Sequence, residues 1–348
     1  MNVPPRVLLS ESTNPWFNLA TEDWIFREFS RDTPVLFLCR NVPSVVIGRH
    51  QNPWVECDLA AMRRDGVLLA RRQSGGGAVY HDRGNANFTF VSPTAAYSQE
   101  ENFRIVIAAL QRLGIQAERS GRHDILVTTP LGKRKISGNA FKHTRERCFH
   151  HGTLLIDADL DRLARYLTPE SERLNARGTR SVASPVINLR EIVPSGMLTY
   201  QMICDALAAE FLDAYGVTGE NRDRDVLNEE SLAEIPSLND YYGKISAWEW
   251  LFGATPRFSH TVALPGRGFQ SDFLVNHGRI EEVVLHCENP STPLSVYLND
   301  TLRGLPYGDA AILRIIEGGI AHFHSRDDAR IFMDRVDAEI VRLERNAI

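Results

Sequence analysis

Only five cysteines occur in 348 residues, at positions 39, 57, 148, 204 and 287, and no two of them form a C-x-x-C pair. That dispersal argues against a disulfide framework and a cysteine zinc site, and predicts reduced thiols. No apolar run is long enough to cross a bilayer, which predicts no membrane contact. The first residues, MNVPPRVLLSESTNPW, carry neither a long apolar segment nor a small-residue cleavage signature, so a cytoplasmic chain is expected. Basic residues are not in surplus. With 39 Lys and Arg against 44 Asp and Glu the formal net charge is −5 at pH 7, the wrong balance for a dedicated nucleic-acid binder. Internal repeats, low-complexity tracts, a P-loop pattern and G-x-G-x-x-G spacing are all absent.

What is present is the composition and length of an ordinary globular chain with room for two domains. PVLFLCR (34–40) and SVVIGR (44–49) read as buried strands joined by a short turn at Asn41-Val42-Pro43, and TFVS after residue 88 as a third. Ser98 and Glu101 fit a capping box, followed by Phe103, Val106, Ile107 and Leu110 at helical spacing up to Gly114. HDILVTT and HGTLLID are strand-like, and Leu160, Leu163, Ala164 and Leu167 mark one helix face. A further helix around QMICDALAAEFLDAYG ends at Gly216, and a hairpin turns at Asn276-His277-Gly278. Phe332, Val336, Ile340 and Leu343 predict a terminal helix. Between about 169 and 194 the chain is polar and aperiodic, long for a connection inside a compact domain, as functional loops often are. The aromatic-rich SAWEWLFGATPRF (246–258) reads as a packed junction. Strands and helices mix without regular alternation, which favours an α+β domain followed by a smaller one.

The stretch RRQSGGGAVYHDRGNANFTF (71–90) carries the strongest chemical signal. Gly75, Gly76 and Gly77 let backbone N–H groups approach a ligand closely and make a nest for an anion, although a glycine run alone reads equally well as a turn. In a strand the adjacent Arg71 and Arg72 would face opposite sides, which would send one to a ligand and the other to solvent. The second stretch, GRHDILVTTPLGKRKISGNAFKHTRERCFHHGTLL, holds Lys135 before a Ser-Gly pair, Asp124 as a candidate metal ligand, and adjacent His150 and His151, which a strand would point to opposite faces. Taken singly, each has a plain reading as a solvated lysine or a satisfied core histidine.

Together with NPWFNLATEDWIF (14–26), IGRHQNPW (47–54) and ARGTRSVASPVINL (176–189), these stretches closely resemble the bacterial lipoate–protein ligase A family; the similarity extends through SAWEWLFGATPRFSH and weakens after about residue 260. The resemblance implies an α+β chain. A biotin/lipoate ligase-like catalytic domain would span 1–245, a junction 246–257, and a smaller α+β C-terminal accessory domain 258–348. It implies activation of lipoate by ATP to lipoyl-AMP, then transfer of lipoyl to a lysine of the lipoyl domains of 2-oxoacid dehydrogenase E2 subunits and of the glycine-cleavage H protein. Lys135 would contact the acyl carbonyl and the α-phosphate, supplying the cation that two repelling anions need. Arg72, Ser74, the backbone of Gly75, Gly76, Gly77, Ala78, Val79 and Tyr80, and His81 would position lipoate and nucleotide. Mg²⁺ would be held through Asp124. Asn85, Gly138, Ala140, His151, Gly152, Thr153 and Leu154 would complete the walls, and the 169–194 loop, with Ser181 and Val182, would cover the adenylate. A monomer is implied.

Four other readings compete. A lipoyltransferase using preformed lipoyl-AMP shares the accessory domain and the loop. An octanoyltransferase on the same fold generally does without the accessory domain and uses a cysteine thioester or a lysine–cysteine pair. A biotin ligase would carry Gly-Arg-Gly-Arg where RRQSGGGAV stands, and a non-catalytic binder would be expected to have lost Lys135 or the adenylate loop.

Overall fold

The computed structural model describes residues 3–121, 123–167, 174–176, 184–193, 197–217, 224–264, 269–286 and 299–308. Ser181, Val182 and the terminal helix expected around Phe332 lie outside the described residues. The chain divides into two compact units: Met1–Arg49, Glu56–Pro169 and Thr179–Ser246 form the first, and His50–Val55, Glu170–Gly178 and Ala247–Ile348 the second.

The first unit is built on a six-stranded sheet in the order Asn139–His143, Arg147–Leu155, Asn85–Pro93, Val35–Cys39, Arg6–Ser10, Arg224–Leu227. Its first four strands pair antiparallel and its last three parallel, so it is a mixed sheet. One face packs on the helices Gln99–Arg112 and Tyr200–Ala214, where Phe103, Val106, Leu110, Leu207 and Phe211 meet Leu36, Leu38, Phe88 and Phe90. The other face carries Leu8, Val35, Phe37, Val91 and Phe149 against Ile25 and Phe26 of the helix Pro15–Arg27. That helix starts where the sequence says it must: Asn14 accepts from the backbone N–H of Trp16 and Phe17, and Pro15 occupies the first turn.

Two three-stranded sheets complete the unit. Ser44–Ile47 lies between Leu68–Arg71 and Val79–His81, and Ile125–Thr129 lies between Ala117–Arg119 and Gly132–Ser137. The two buried strands expected on either side of Asn41-Val42-Pro43 are found as Val35–Cys39 and Ser44–Ile47, and they enter different sheets. Both are wholly buried, so their composition carries no record of the partner. The helix Gln99–Arg112 has half of its expected capping box, because Ser98 accepts from the N–H of Glu101 while the Glu101 carboxylate pairs with Arg104. Gly114 and Gly216, at φ 79° and 73°, follow helix ends as expected.

In the second unit, Leu174–Ala176, Phe258–Leu264, Phe269–Asn276 and Arg279–His286 form an antiparallel sheet in that order. Its last hairpin turns at His277 and Gly278, both at positive φ. Trp54 packs against Phe252, Phe258 and Tyr307 in its core. Of the long polar segment, then, Leu174–Ala176 is a strand of the second unit, while Val186 bridges Lys135 in the first.

Candidate active site

Between the face of the large sheet that carries Phe37 and the elements around it, the first unit holds a cavity of about 550 Å³. Strand register builds its wall. Ala140 stands opposite His151, His151 opposite Thr89, and Thr89 opposite Phe37, so these four side chains share one row. The next row holds Thr153, Asn87 and Cys39. Asn18, Leu19 and Glu22 of the helix Pro15–Arg27 face them, and Arg72, Gly76, Gly77, Ala78 and Val79 supply the glycine loop. Lys135, Asp124, His123, Gly138, Gly152 and Ser184 also line it.

The loop is shaped by Arg72. Its Nη2 donates to the carbonyls of Gly75 and Gly77, both at 2.7 Å, its Nη1 to Val46 O at 3.0 Å, and its Nε to Ser74 Oγ at 3.1 Å. Tying down loop carbonyls leaves the N–H side of the loop for an anion. Only Gly76, at φ 91°, adopts a conformation that favours glycine, and a Cβ at Gly75 would meet nothing. Contrary to expectation, neither arginine faces solvent. Arg71 donates to the carbonyls of Gly48 and Arg49, and burial pushes both guanidinium groups down to about 10.

A hydrogen-bonded line continues from this guanidinium. Ser74 Oγ lies 2.7 Å from His151 Nε2, and His151 Nδ1 lies 2.8 Å from Glu22 Oε2, which also accepts from Thr89 Oγ1 at 2.7 Å. Burial opposes ionisation of Glu22, but the attraction of His151 and the bonds from His151 and Thr89 outweigh it, and its acidity rises. Ionised Glu22 therefore orients the imidazole, as a carboxylate orients histidine in other buried pairs.

Lys135 sits on Gly132–Ser137 with Nζ 2.8 Å from Asp124 Oδ1. Its backbone is stitched to the far end of the polar segment: its N–H donates to Pro185 O, and Ile187 N–H donates to its carbonyl. A Cβ at Gly138 would fall 3.2 Å from Lys135 Nζ, so glycine there makes room for the amine. His123, beside Asp124, is at φ 65°, one of two described non-glycine residues in the left-handed region. Among the described residues no three acidic, histidine or cysteine side chains gather to cage a metal. Of the two cavity carboxylates, Glu22 is engaged by His151 and Thr89, which leaves Asp124 to suit a magnesium ion that keeps its waters and rides on nucleotide phosphates.

The adjacent histidines divide as their alternation requires: His150 packs among Phe90, Phe103 and Phe141, and His151 faces the cavity. Tyr80, Asn85 and Leu154 do not line it. Tyr80 and Leu154 are core residues, and Asn85 donates to Tyr80 O from a fully buried position. Ser74 and Gly75 act from behind the wall through Arg72 and His151. Asn87, one of the polar residues that follow the glycine run, lines the cavity, as do Glu22, Asn18, Asn41 and Thr89, which the sequence reading does not single out. Cys148 belongs with His150 to the opposite face of the sheet, bonded to His143 and Thr94.

The description "lipoyl protein ligase A/B catalytic domain" fits residues 14–212, where the family model matches. A lipoate-protein ligase A of Psychrobacter cryohalolentis is 46% identical over 306 residues, 87% of this chain and 88% of its own. The chain belongs to the lipoate–protein ligase A family. Solved structures agree with that membership. LipL1 of P. falciparum in complex with lipoate aligns over 97% of this chain and 99% of its own, with a TM-score of 0.63 and 29% identity. A lipoate-protein ligase A bound with ATP covers 71% of this chain and 98% of its own, with a TM-score of 0.56 and 29% identity. The bipartite lipoate protein ligase of Thermoplasma acidophilum, studied with its E2 lipoyl domain, gives 0.59 and 27% over 72% of this chain and 96% of its own. As a member of the lipoate–protein ligase A family the chain is a ligase with the mixed α+β fold of those enzymes.

Proposed function

We propose that the chain activates lipoate with ATP to lipoyl-AMP, releasing pyrophosphate, and transfers the lipoyl group to a lysine on lipoyl domains of 2-oxoacid dehydrogenase E2 subunits and on the glycine-cleavage H protein. The first unit is the catalytic domain and the second an accessory domain, and the enzyme works as a cytoplasmic monomer. The observation that carries this reading is Lys135, whose amine lies in the cavity beside Asp124 and the glycine loop. A carboxylate and an α-phosphate repel each other as they approach. A fixed ammonium between them offsets that repulsion most where charge is greatest, in the transition state. Arg72 holds the loop whose N–H groups receive phosphate oxygens, and Asp124 would hold Mg²⁺, which neutralises phosphate charge when bound. The apolar walls formed by Leu19, Phe37, Val46 and Phe88 suit an acyl chain.

Pyrophosphate release from ATP by the purified protein, with and without lipoate and before any acceptor is added, tests the reading. Lipoate-dependent release is expected, and Lys135→Ala should slow it on the order of 10²–10³-fold, as loss of an oxyanion donor does. No release, with transfer from synthetic lipoyl-AMP intact, would instead make the chain a lipoyltransferase. Near wild-type release by Lys135→Ala would remove Lys135 from its role.

A further inference from the structure

Exposure shows where the cavity opens. The side chains of His151 and Glu22 keep 12% and 7% of their surface, whereas those of Lys135 and Asp124 keep 25% and 17% and adjoin the exposed His123. A protein lysine that comes for an activated acyl group therefore arrives past Lys135. Its stem of about 6 Å brings the rest of that protein down onto whatever surrounds the amine.

What surrounds it is the outer face of the sheet formed by Ala117–Arg119, Ile125–Thr129 and Gly132–Ser137. Register sets Glu118 beside Leu126 and Leu126 beside Lys135, with Thr128 beside Lys133 in the next row, while Ile125, Val127 and Ile136 face the core. Lys135 thus belongs both to the cavity lining and to this outer face. At the hairpin tip stands Leu131, 80% exposed, more than any other large hydrophobic side chain among the described residues. Its turn is tied. Leu131 N–H donates to Thr129 Oγ1 at 3.2 Å, Thr129 Oγ1 donates to Gly132 O at 2.8 Å, Pro130 fixes one torsion and Gly132 takes φ 92°. A contact made there on binding costs little ordering. The tip lies four residues from Lys135, about 13 Å along the strand, inside the roughly 800 Å² that a stable protein contact covers on each partner. Charge selects the kind of partner: in a chain of net charge −5, these three strands carry Arg119, Lys133, Arg134 and Lys135 against Glu118 alone.

We propose that this outer face, from Lys135 to the Leu131 tip, is the docking surface for the acyl acceptor, a protein whose lysine stands on a protruding turn flanked by carboxylates, with an apolar side chain that covers Leu131. This rests on the ligase reading above. Leu131 supplies the desolvated anchor, and the basic strands steer the acidic turn and set its register.

The test compares two nucleophiles on synthetic lipoyl-AMP: the lysine of an apo E2 lipoyl domain, which must dock, and hydroxylamine, which need not. Leu131→Asp should raise the KM for the lipoyl domain about tenfold and Leu131→Ala about threefold, with kcat nearly unchanged. Lys133→Glu should raise it about threefold or more and flatten its rise with salt. Hydroxamate formation should stay within about twofold of wild type in all three variants, because exposed charges near the surface are screened. A lipoyl-domain KM that Leu131→Asp leaves unchanged overturns the proposal. So does an equal loss with hydroxylamine, which would make the tip part of the framework of the site. Absence of lipoate-dependent pyrophosphate release in wild type would strike the ligase reading instead, and transfer from synthetic lipoyl-AMP would still decide the role of the tip.

Discussion

At the scale of single residues, buried charges shape the site as much as those facing the ligand. Arg72 gives four hydrogen bonds to Val46, Ser74, Gly75 and Gly77, and a lysine offers a point charge without that fork. Arg72→Lys should therefore cost about 10-fold or more in kcat/KM for adenylation, because a misplaced loop loses pre-organisation. Unchanged kinetics would show that the loop holds its shape without the guanidinium. The glycines differ just as sharply. Gly75→Ala should be close to neutral and Gly76→Ala damaging, since only Gly76 has φ in the left-handed region, and its Cβ would fall 3.0 Å from Arg72 Nη2. Parallel kinetics and melting curves of the two variants check the contrast. The contiguous motifs around Arg72, Lys135 and His151 were legible in the sequence. Glu22 was not, because an acid in NLATEDWIF resembles a solvated helix face, and only the pairing of Thr89 with His151 shows what it meets. Asn18 and Asn41 were hidden for the same reason: their partners, the carbonyls of Ser12 and Arg40 for Asn18 and the side chains of Asn18 and His81 for Asn41, are brought together only by the fold.

At the scale of elements, caps and glycine stops carried their information locally, and strand partners did not. The helix start at Ser98 and the stops near Gly114 and Gly216 could be placed from neighbouring residues alone. Val35–Cys39 and Ser44–Ile47 were legible as buried strands on either side of a short turn, but not which sheet each joins: the large sheet takes one and a three-stranded sheet the other. Their separation helps open the cavity, since Cys39 and Val46 line it from different sheets. Gly84 marks another tight junction, because a Cβ there would collide with the carbonyl of Asp157 next to the strand Asn85–Pro93. Gly84→Ala should destabilise by about 1–3 kcal/mol, as overpacking does, and a melting temperature equal to wild type would contradict that close approach.

For the whole molecule, the buried histidines set the response to acid. His81 is held near 3 by burial and by Arg72 and His151, and His150 is lowered by burial among aromatic rings, while an unfolded histidine titrates near 6.5. Between those values the unfolded chain binds more protons than the native one. Stability is then complete above about pH 6.5 and falls as pH drops toward 3, by up to about 1.4 kcal/mol per pH unit for each such group. Glu22, lowered in the fold, adds a loss that begins below about pH 4.5. Denaturation midpoints between pH 7 and 4 should decline steadily, and His81→Gln should flatten the slope. A midpoint constant down to pH 5 would show that these histidines are already protonated in the native state.

The buried thiols have a practical consequence as built-in reporters. Cys39, Cys57, Cys148 and Cys204 are all free and shielded, and burial drives Cys39 and Cys57 far above, and Cys204 up to about 11, so thiolate chemistry is suppressed in the native state. Of the four, only Cys39 lines the cavity. Brief alkylation followed by peptide mass spectrometry should thus label Cys57, Cys148 and Cys204 together, at the rate at which the fold opens. Label at Cys39 should report occupancy as well, slowed further by any acid that fills the cavity. One untagged sample would then yield both a stability and a ligand-binding curve, with each read at its own sulfur.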